Sequence, residues 1–393
     1  MANKSHISES ILQKRINRFK SIKRGYYSLI ILISLYTLSI CAPLFFNSKA
    51  LIVKYEDEYY FPLFNDIFQS MVKTNNIEAK DLGQLEIKGK KKYGQPHYRL
   101  LKKQYKEQDN GDWVILPLYP YDPYEEVISE KDEEFTDSNG NGKWENNEIF
   151  IDENGNGIRD SYKYTNFPDS QHLLGTDNQG RDVLSRLVYG FNISMTFAVV
   201  CWACSYFLGV IIGGILGYFG GRIDLLGLRV IEIYGSIPFL FMLMILATFI
   251  KPTVYILALM YVILTGWLGI TWYIRGEFLR EKSKDYVSAA VSMGQSHWKV
   301  MFKHILPNSL TPIITFAPFG IIGYISALVS LDYLGFGLQP PTPSWGELIA
   351  QGRTNLQYWH LIIAPLFAMG GTLFLITFIG EAIREAFDPK VHS

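Results

Sequence analysis

Uncharged, mostly apolar runs recur along the chain, and each is long enough to cross a lipid bilayer. Asp, Glu, Lys and Arg are absent from residues 25–48, 187–221, 233–250, 252–274 and 305–331. Residues 354–380 also lack them, and their one histidine is His360. A spanning helix needs about 20 mainly apolar residues. If the third helix starts near Ile223, the pattern predicts an all-α membrane protein with six transmembrane helices.

The basic residues indicate which ends of these helices face the cytoplasm. Lys and Arg precede the first apolar run and are frequent again in residues 275–304. Short segments rich in Lys and Arg stay in the cytoplasm. We therefore expect residues 1–48 to be a cytoplasmic N-terminus with an uncleaved first span, and both termini to be cytoplasmic.

The overall composition is balanced and excludes two broad classes of protein. The chain has 393 residues, 48% of them hydrophobic, and a formal net charge of zero. A basic nucleic-acid-binding protein and an acidic disordered chain would each differ from this, so no nucleic-acid partner is expected. Cys41, Cys201 and Cys204 all fall in predicted spans, so no disulfide is expected in the region between the first two spans.

A large polar insertion, residues 49–170, separates the first span from the second. Its stretches "ALIVKYEDEYYFPLF" and "GDWVILPLYPYDPYEE" are rich in aromatic, β-branched and turn-forming residues. Such segments favour short strands and turns. We predict a small, mostly β and irregular extracytoplasmic domain, in which Lys88–Lys106 is a solvated loop.

One stretch of the insertion matches the ligand spacing of a calcium-binding loop. In "DSNGNGKWENNE" the candidate ligands are Asp137, Asn139, Asn141, the carbonyl of Lys143, Glu145 and Glu148. Calcium prefers oxygen ligands at alternate positions of such a loop, with a glycine at its sharp turn. Gly142 holds that turn position. The spacing predicts a structural Ca²⁺ of weak affinity.

A second, incomplete copy follows. Its candidate ligands are Asp152, Asn154, Asn156, the carbonyl of Ile158, and Asp160. Lys163 stands at its last ligand position and cannot bind a cation, so this loop is incomplete or borrows Glu148. The alternative for both copies is a pair of Asn-Gly turns in a β-hairpin.

The stretch "SAAVSMGQSHWKVMFKHILPN" lies between two predicted spans on the cytoplasmic side. Its spacing predicts a helix from Asp285 to about Phe302, because Tyr286, Ala289, Ala290, Met293, His297 and Val300 recur at helical intervals. Ala289 and Ala290 form a smooth patch, and Gly294 permits a bend or a close approach of another segment. Pro307 marks the change of direction before the fifth span. The alternative is a surface helix in the lipid interface.

These residues resemble a known motif. Ala289, Ala290, Gly294, Leu306 and Pro307 have the spacing of the EAA loop of ABC importer permeases, with Ser288 where the family usually has Glu. The stretches "LLGTDNQGRDVLSRLVYG", "GYFGGRIDLLGLRVIEIYGSIP" and "LDYLGFGLQPPTPSWGELIAQG" resemble the C-type permeases of dipeptide and oligopeptide importers. The long first loop is similar to that of the Yej-type group.

The resemblance implies a fold, a function and a set of partners. It implies the type I ABC importer permease fold in an inner membrane, with residues 171–393 as the permease core. The EAA loop would be the ATPase-coupling site, including Tyr286 and His297. The chain has no Gly-x-x-x-x-Gly-Lys-Ser/Thr phosphate loop, so ATP would act only through a separate ABC ATPase subunit. The other implied partners are a second permease and an extracytoplasmic peptide-binding protein.

Few ionisable residues lie at membrane depth, and these are candidates for function. Asp332 is expected near the outer end of the fifth span, facing the translocation path or the other permease. Arg229 and Glu232 are three residues apart and can pair. Pro312 and Pro318 are expected to interrupt the fifth span, and Asp177 to cap the second.

Three other classes of protein fit the sequence less well than an importer. A secondary transporter usually has more charges at membrane depth or an inverted repeat. A membrane enzyme needs paired catalytic side chains within its spans. A calcium-dependent membrane receptor needs neither six spans nor a coupling loop.

Overall fold

The computed structural model describes residues 11–68, 77–84, 86–87, 90–91, 96–125, 136, 149 and 165–387. The chain divides into two compact units. Unit 1 contains residues 1–39, 190–350 and 365–393, and unit 2 contains residues 40–189 and 351–364.

Unit 1 is built from helices. They are α1 (Ile11–Ser21), α2 (Lys23–Ile40), most of α6 (Val183–Phe219), α7 (Gly221–Gly235), α8 (Phe239–Phe249), α9 (Val254–Tyr261), α10 (Leu268–Lys282), α11 (Asp285–Ser292), α12 (His297–Lys299), α13 (Leu306–Tyr333), part of α14 (Trp345–Thr354) and most of α15 (His360–Phe387). Two π-helical segments, Val262–Gly266 and Val300–Ile305, connect α9 to α10 and α12 to α13.

Within the described ranges, three single helices are long and apolar enough to cross a membrane: Val183–Phe219, His297–Tyr333 and His360–Phe387. Two further pairs qualify only if each bent pair is one span, namely α7 with α8, bent by 69°, and α9 with α10, bent by 50°. The first predicted span corresponds to α2, which begins with Lys23 and Arg24 and is not among these candidates. The count of six spans stays a prediction.

The two bent pairs are hydrogen-bonded to each other where they bend. The hydroxyl of Tyr234, at the end of α7, donates to the carbonyl oxygen of Ile263 at 3.0 Å. The indole N–H of Trp267 donates to the same oxygen at 3.1 Å. The carbonyl of Ile263, in the π-helical segment, therefore accepts two side-chain hydrogen bonds at the bend.

The long helices of unit 1 pack closely through small residues. A Cβ added at Gly213 would lie 2.5 Å from the carbonyl oxygen of Thr271, and one at Gly217 would lie 2.6 Å from that of Arg275. Only glycine allows α6 and α10 to approach this closely.

The prediction that Pro312 and Pro318 interrupt the fifth span is wrong, because both lie inside the continuous helix α13. A proline in a helix removes one backbone hydrogen bond. Here Pro318 is buried, and α13 packs against α15 at Gly380, where an added Cβ would lie 3.2 Å from the Cβ of Pro318. Packing keeps the helix continuous despite the missing bond.

Unit 2 contains a small antiparallel sheet. Its strands are β1 (Ile52–Tyr55), β2 (Glu58–Tyr60) and β5 (Trp113–Ile115), in the order β2-β1-β5. The register pairs Val53 with Tyr60 and with Val114. A separate pair of strands, β3 (Glu86–Ile87) and β4 (Lys90–Lys91), follows a 3₁₀ turn at Ala79–Leu82.

The same unit also contains helices that the sequence did not predict: α3 (Ala42–Phe45), α4 (Pro62–Phe68) and α5 (Tyr98–Gln108). The second half of Lys88–Lys106 is therefore helical, and its prediction as a loop is wrong. Tyr98, Leu101 and Tyr105 are buried at helical spacing and pack against Val53 and Val114. This apolar stripe fixes α5 on one face of the sheet.

Candidate functional site

The candidate coupling segment, residues 285–307, folds as two helices joined by a tight turn. Helix α11 ends at Ser292, and a new helix begins at His297 and continues through the π-helical segment into α13. The prediction of one helix from Asp285 to Phe302 is therefore wrong.

Gly294 explains why α11 ends where it does. Its φ is 74°, in the left-handed region that glycine adopts at little cost. The N–H of Gly294 donates to the carbonyl of Val291 at 2.9 Å, and the N–H of Gln295 donates to that of Ala290 at 3.3 Å. This pair of bonds is a Schellman motif, which satisfies the last carbonyls of a helix. Nothing lies within 4 Å of the position a Cβ would take at Gly294, so only backbone conformation favours glycine there.

The change of direction therefore occurs at residues 293–296, and its predicted position at Pro307 is wrong. Leu306 and Pro307 directly follow the π-helical segment, inside the continuous helix His297–Tyr333. A proline at this position removes one backbone hydrogen bond, but it does not end the helix.

The inner side of the segment is fixed by apolar packing. Val287 and Ala290 of α11 are buried in one cluster with Val300, Met301, Ile305, Ile274 and Phe278. Ala289 is exposed whereas Ala290 is 1% exposed. The two alanines thus do not form one surface patch, because successive residues of a helix point about 100° apart.

Three side-chain hydrogen bonds brace the segment. The hydroxyl of Tyr218 lies 2.8 Å from Nδ1 of His297, and Nε2 of His304 lies 2.7 Å from Oε1 of Gln295. Tyr286 donates to Oε2 of Glu281 at 2.9 Å. Burial, followed by this hydrogen bond, raises the pKa of Tyr286, so its phenol remains a neutral donor.

The outer side presents large apolar side chains to solvent. We call the residues Ser288, Ala289, Val291, Met293, Trp298, Lys299, Phe302 and Lys303 the coupling surface; all are exposed. Met293, in the turn, is 71% exposed. The rings of Trp298 and Phe302 are stacked, with centroids 5.9 Å apart. Exposed apolar groups next to lysines are typical of a surface that binds another protein.

Asp332 lies at the end of α13, where its carboxylate closes the loop that leads to α14. It accepts hydrogen bonds from the N–H of Leu338 at 2.7 Å and from the hydroxyl of Ser344 at 2.5 Å. The residue is 7% exposed. Both oxygens are thus directed at its own chain, and this geometry favours a structural role for the carboxylate.

A buried cluster of charges that the sequence did not predict lies at the start of α6, in unit 2. Asp177, Arg181 and Arg186 are at most 1% exposed. Oδ2 of Asp177 lies 2.6 Å from Nη2 of Arg181 and 3.4 Å from Nε of Arg186. Buried charges are stable only when paired and hydrogen-bonded, so this carboxylate stabilises both arginines.

The predicted N-cap at Asp177 is also wrong. Helix α6 begins at Val183, and Oδ1 of Asp182 accepts from the N–H of Ser185 at 2.8 Å. This is the capping geometry in which a side chain satisfies a free N–H of the first turn. Asp182 is therefore the cap.

The same region is tied to the segment around residues 119–123. Tyr119 donates to Oδ2 of Asp182 at 2.7 Å, and Nδ1 of His172 lies 2.9 Å from that oxygen. The Ser185 hydroxyl donates to the carbonyl of Tyr121 at 2.8 Å, and Arg186 donates to that of Pro123 at 3.1 Å. The cluster fixes residues 119–123 of the insertion to the start of α6.

The predicted calcium ligands, residues 137–160, lie outside the described residues. The two flanks of the first loop are described, and the N–H of Thr136 donates to the carbonyl of Ile149 at 2.9 Å. Among the residues that the structure describes, no group of three His, Cys, Asp or Glu side chains is arranged to hold a metal.

The sequence is similar to membrane components of ABC transporters. Residues 209–393 match the family of binding-protein-dependent transport system inner membrane components. Over 378 residues the chain is 35% identical to the inner membrane ABC transporter permease protein YejE of Escherichia coli, covering 96% of this chain and 97% of that one. It is 36% identical to the peptidoglycan transport system permease protein YejE of Agrobacterium fabrum, covering 96% and 93%.

Shorter matches include the oligopeptide transport system permease protein OppC of Haemophilus influenzae, 36% identical across 56% of this chain and 71% of that protein. Among solved structures, the inward-facing MetNI methionine ABC transporter aligns with a TM-score of 0.41 at 18% identity, across 52% of this chain and 97% of the other.

Proposed function

This chain belongs to the family of inner membrane ABC transporter permeases, and on that basis we propose that a separate ATPase subunit docks on its coupling surface. The chain is the permease subunit of an ABC importer and so a transport component of the inner membrane. The energy for transport then enters through residues 285–307.

The observation that carries this proposal is the turn at residues 293–296: its outer side chains are apolar and exposed, and its inner side is fixed by buried packing. Met293 and the stacked pair of Trp298 and Phe302 are exposed, while Val287 and Ala290 anchor the same segment to α10. A rigid apolar projection suits insertion into a groove of another protein. Because the segment continues into α13, movement of the docked partner displaces a spanning helix.

Peptides or peptide-like compounds are the proposed cargo. Relatives are described as oligopeptide, dipeptide and peptidoglycan transport permeases. An extracytoplasmic peptide-binding protein would deliver the cargo, and a second permease subunit would form the other half of the path. Asp332 remains a candidate for that path, although its hydrogen bonds favour a structural role.

The proposed topology has six spans, α2 included, with both termini in the cytoplasm. Two contacts support it. Arg15 of α1 donates to the hydroxyl of Thr311 at 3.2 Å, four residues after Pro307. Arg24 pairs with Glu381 near the end of α15, at 3.6 Å. The N-terminal helix, the end of α15 and the coupling segment thus lie at the same end of unit 1, which would be the ATPase side.

We also propose Ca²⁺ as a structural ion of the insertion. The ligand spacing from Asp137 to Glu148 supports it, as does the hydrogen bond between Thr136 and Ile149, which brings together the two ends of a loop of the expected length.

Photo-crosslinking in the assembled transporter tests the docking proposal. The probe is p-benzoylphenylalanine at Met293, and the control is the same probe at Tyr59, which is 59% exposed on the sheet of unit 2. The expected result is an adduct with the ATPase subunit from Met293→p-benzoylphenylalanine alone. If the ATPase co-purifies but reacts with the probe at Tyr59 instead, or with neither, the docking surface is wrongly placed.

A further inference from the structure

Helix α1 leads directly into α2, the first span of the proposed topology. It ends at Ser21, and α2 begins at Lys23. Backbone hydrogen bonds continue across the junction, because the N–H of Ile22 donates to the carbonyl of Phe19 and the N–H of Tyr26 donates to that of Ile22, each at 3.1 Å. A basic helix joined this closely to a span lies where the membrane meets the cytoplasm.

Helix α2 contacts the rest of unit 1 through a narrow stripe only. Its buried residues are Gly25, Ser28, Leu32 and Ser39, and at 100° per residue these four fall within an arc of about 60°. The other sides of the helix expose large apolar side chains: Tyr27, Ile30, Ile31, Ile33, Leu35 and Leu38. Residues 25–48 contain no Asp, Glu, Lys or Arg. A wide, uncharged apolar face of this kind is compatible with lipid.

The lysine at the start of α2 lies on the same exposed face. Lys23, Tyr27 and Ile30 are spaced by four and then three residues, so they form one stripe along the helix, and all three are exposed. The ring of Tyr27 lies beside that of Tyr26, with centroids 5.9 Å apart. Tyrosines are enriched at the depth of the lipid headgroups. Lys23 therefore lies at the level of the lipid phosphates.

Two lysines of α1 extend this positive charge along the membrane surface. Arg15 holds α1 on unit 1, since it donates to the hydroxyl of Thr311 at 3.2 Å and its guanidinium lies 4.8 Å from the ring centroid of Phe387. Lys14 and Lys20 lie about 100° and 140° around the helix from Arg15. Both are exposed, and neither forms an ion pair with a residue that the structure describes.

The neighbouring sequence supplies no acid to neutralise these lysines. Residues 10–48 contain six Lys and Arg residues and no Asp or Glu. Arg24 is paired with Glu381 at 3.6 Å, whereas Lys23 beside it has no such partner among the described residues. The anions found at this depth are lipid phosphates, and an anionic leaflet attracts juxtamembrane Lys and Arg residues. Charge and position therefore both favour lipid as the ligand.

We infer that Lys14, Lys20 and Lys23 bind the headgroups of anionic lipids in the cytoplasmic leaflet, with α1 lying in the plane of the interface. The inference goes beyond the proposed function and rests on its topology, in which α2 is a span and the N-terminus is cytoplasmic. Each lysine near an anionic surface is expected to favour an anionic lipid over a zwitterionic one about fivefold.

Photo-crosslinking in nanodiscs tests the inference with matched probes. The assembled transporter carries Tyr27→p-benzoylphenylalanine in a bilayer of equal parts phosphatidylglycerol and phosphatidylcholine. The control is Leu38→p-benzoylphenylalanine, near the other end of α2, because Tyr27 and Leu38 are 57% and 56% exposed. Mass spectrometry identifies the lipid in each adduct. The expected result is that phosphatidylglycerol is favoured about fivefold or more at Tyr27 and not at Leu38.

Removal of the positive charges should abolish this preference at Tyr27. The test variant replaces three lysines with glutamine: Lys14→Gln, Lys20→Gln and Lys23→Gln. The charge-matched control, which should keep the preference, replaces three exposed lysines of α5: Lys102→Gln, Lys103→Gln and Lys106→Gln. In the chain that keeps all six lysines, an ionic strength of about 1 M, where the Debye length is about 3 Å, should also lower the preference.

The outcomes separate this inference from the proposed function. Equal lipid ratios at Tyr27 and Leu38, or an unchanged preference in the test variant, would show that the lysines do not bind anionic lipid. An adduct of the Tyr27 probe with the ATPase or the second permease in place of lipid also overturns the inference. If these results come from a complex that contains the ATPase, the proposed function stands. A lipid preference in a chain that recruits no ATPase would support the inference and contradict the function.

Discussion

The hydroxyl of Tyr218 and Nδ1 of His297 are 2.8 Å apart, which joins the last turn of α6 to the helix that follows the coupling turn. Tyr218 is itself buried against Phe278 and Val300. This contact fixes the position of the turn relative to a second spanning helix, so force applied to the turn reaches both α6 and α13.

Removing that hydroxyl should loosen the coupling turn. Tyr218→Phe keeps the ring but deletes a hydrogen bond whose net contribution to stability is about 1 kcal/mol. We expect slower peptide uptake in proteoliposomes with normal recovery of the ATPase subunit. The control is Tyr255→Phe, at a tyrosine that is 65% exposed. Equal uptake rates for both variants would show that the contact does not transmit movement.

The left-handed conformation at Gly294 predicts a graded response to substitution. Gly294→Ala should destabilise the turn by about 1–2 kcal/mol, since alanine is strained at positive φ. Gly294→Asn should cost less because asparagine adopts this conformation more readily. Uptake coupled to ATP hydrolysis measures the effect. A Cβ added at this position meets nothing within 4 Å. Equal losses of uptake with alanine and with asparagine would therefore contradict an effect of backbone conformation.

Asp332 should stabilise the fold more than it assists transport. Asp332→Ala leaves the N–H of Leu338 and the hydroxyl of Ser344 without their acceptor, at a cost of about 2 kcal/mol. Thermal unfolding in detergent should therefore shift downward, and less so for Asp332→Asn, which retains an acceptor. Loss of uptake at unchanged thermal stability would instead place Asp332 on the translocation path.

The buried carboxylate of Asp177 should be among the most sensitive positions of unit 2. Asp177→Asn leaves Arg181 and Arg186 buried without this counter-ion, and breaking a buried pair costs about 3–5 kcal/mol. Thermal unfolding and expression level measure the loss. Asp57→Asn, which breaks the exposed pair with Lys54, should change neither. A mild effect of Asp177→Asn would mean that the arginines find other partners.

Calcium should bind the full-length chain weakly, with a dissociation constant of about 10⁻⁴–10⁻³ M. Calorimetry on chelator-treated protein measures it. Glu148→Gln should abolish binding, because Glu148 is the one carboxylate at the last position of either loop. Asp109→Asn, at an acidic residue after α5, should not. Absence of heat at millimolar Ca²⁺ would favour plain Asn-Gly turns.

The sequence predicted what depends on composition and failed where distant residues decide the conformation. Charge-free runs located α6, α13 and α15, because a membrane requires continuous apolar helices. At the bend between α9 and α10, the carbonyl of Ile263 accepts a hydrogen bond from the hydroxyl of Tyr234, which lies on another helix. No local pattern encodes such a contact.

Two local predictions, the single helix through Gly294 and the helix cap at Asp177, were wrong for specific reasons. Gly294 does lie at a bend. The end of α11 also needs the two hydrogen bonds of the Schellman motif, from the N–H groups of Gly294 and Gln295.

Asp177 was expected to cap α6, but the helix begins six residues later at Val183, and Asp177 pairs with Arg181 and Arg186. The start of α6 is further set by Ser185 and Arg186, whose hydrogen-bond acceptors at Tyr121 and Pro123 lie more than sixty residues earlier in the chain.

The continuity of His297–Tyr333 limits how this protein can move. Its 37 residues make a rod of roughly 55 Å at 1.5 Å per residue. One end is the turn at Met293 and the other is the loop held by Asp332. Since no break in the helix separates the two ends, a rotation of the first end also reorients the second. Partner movement at the turn and rearrangement of the loop at Asp332 would then occur together.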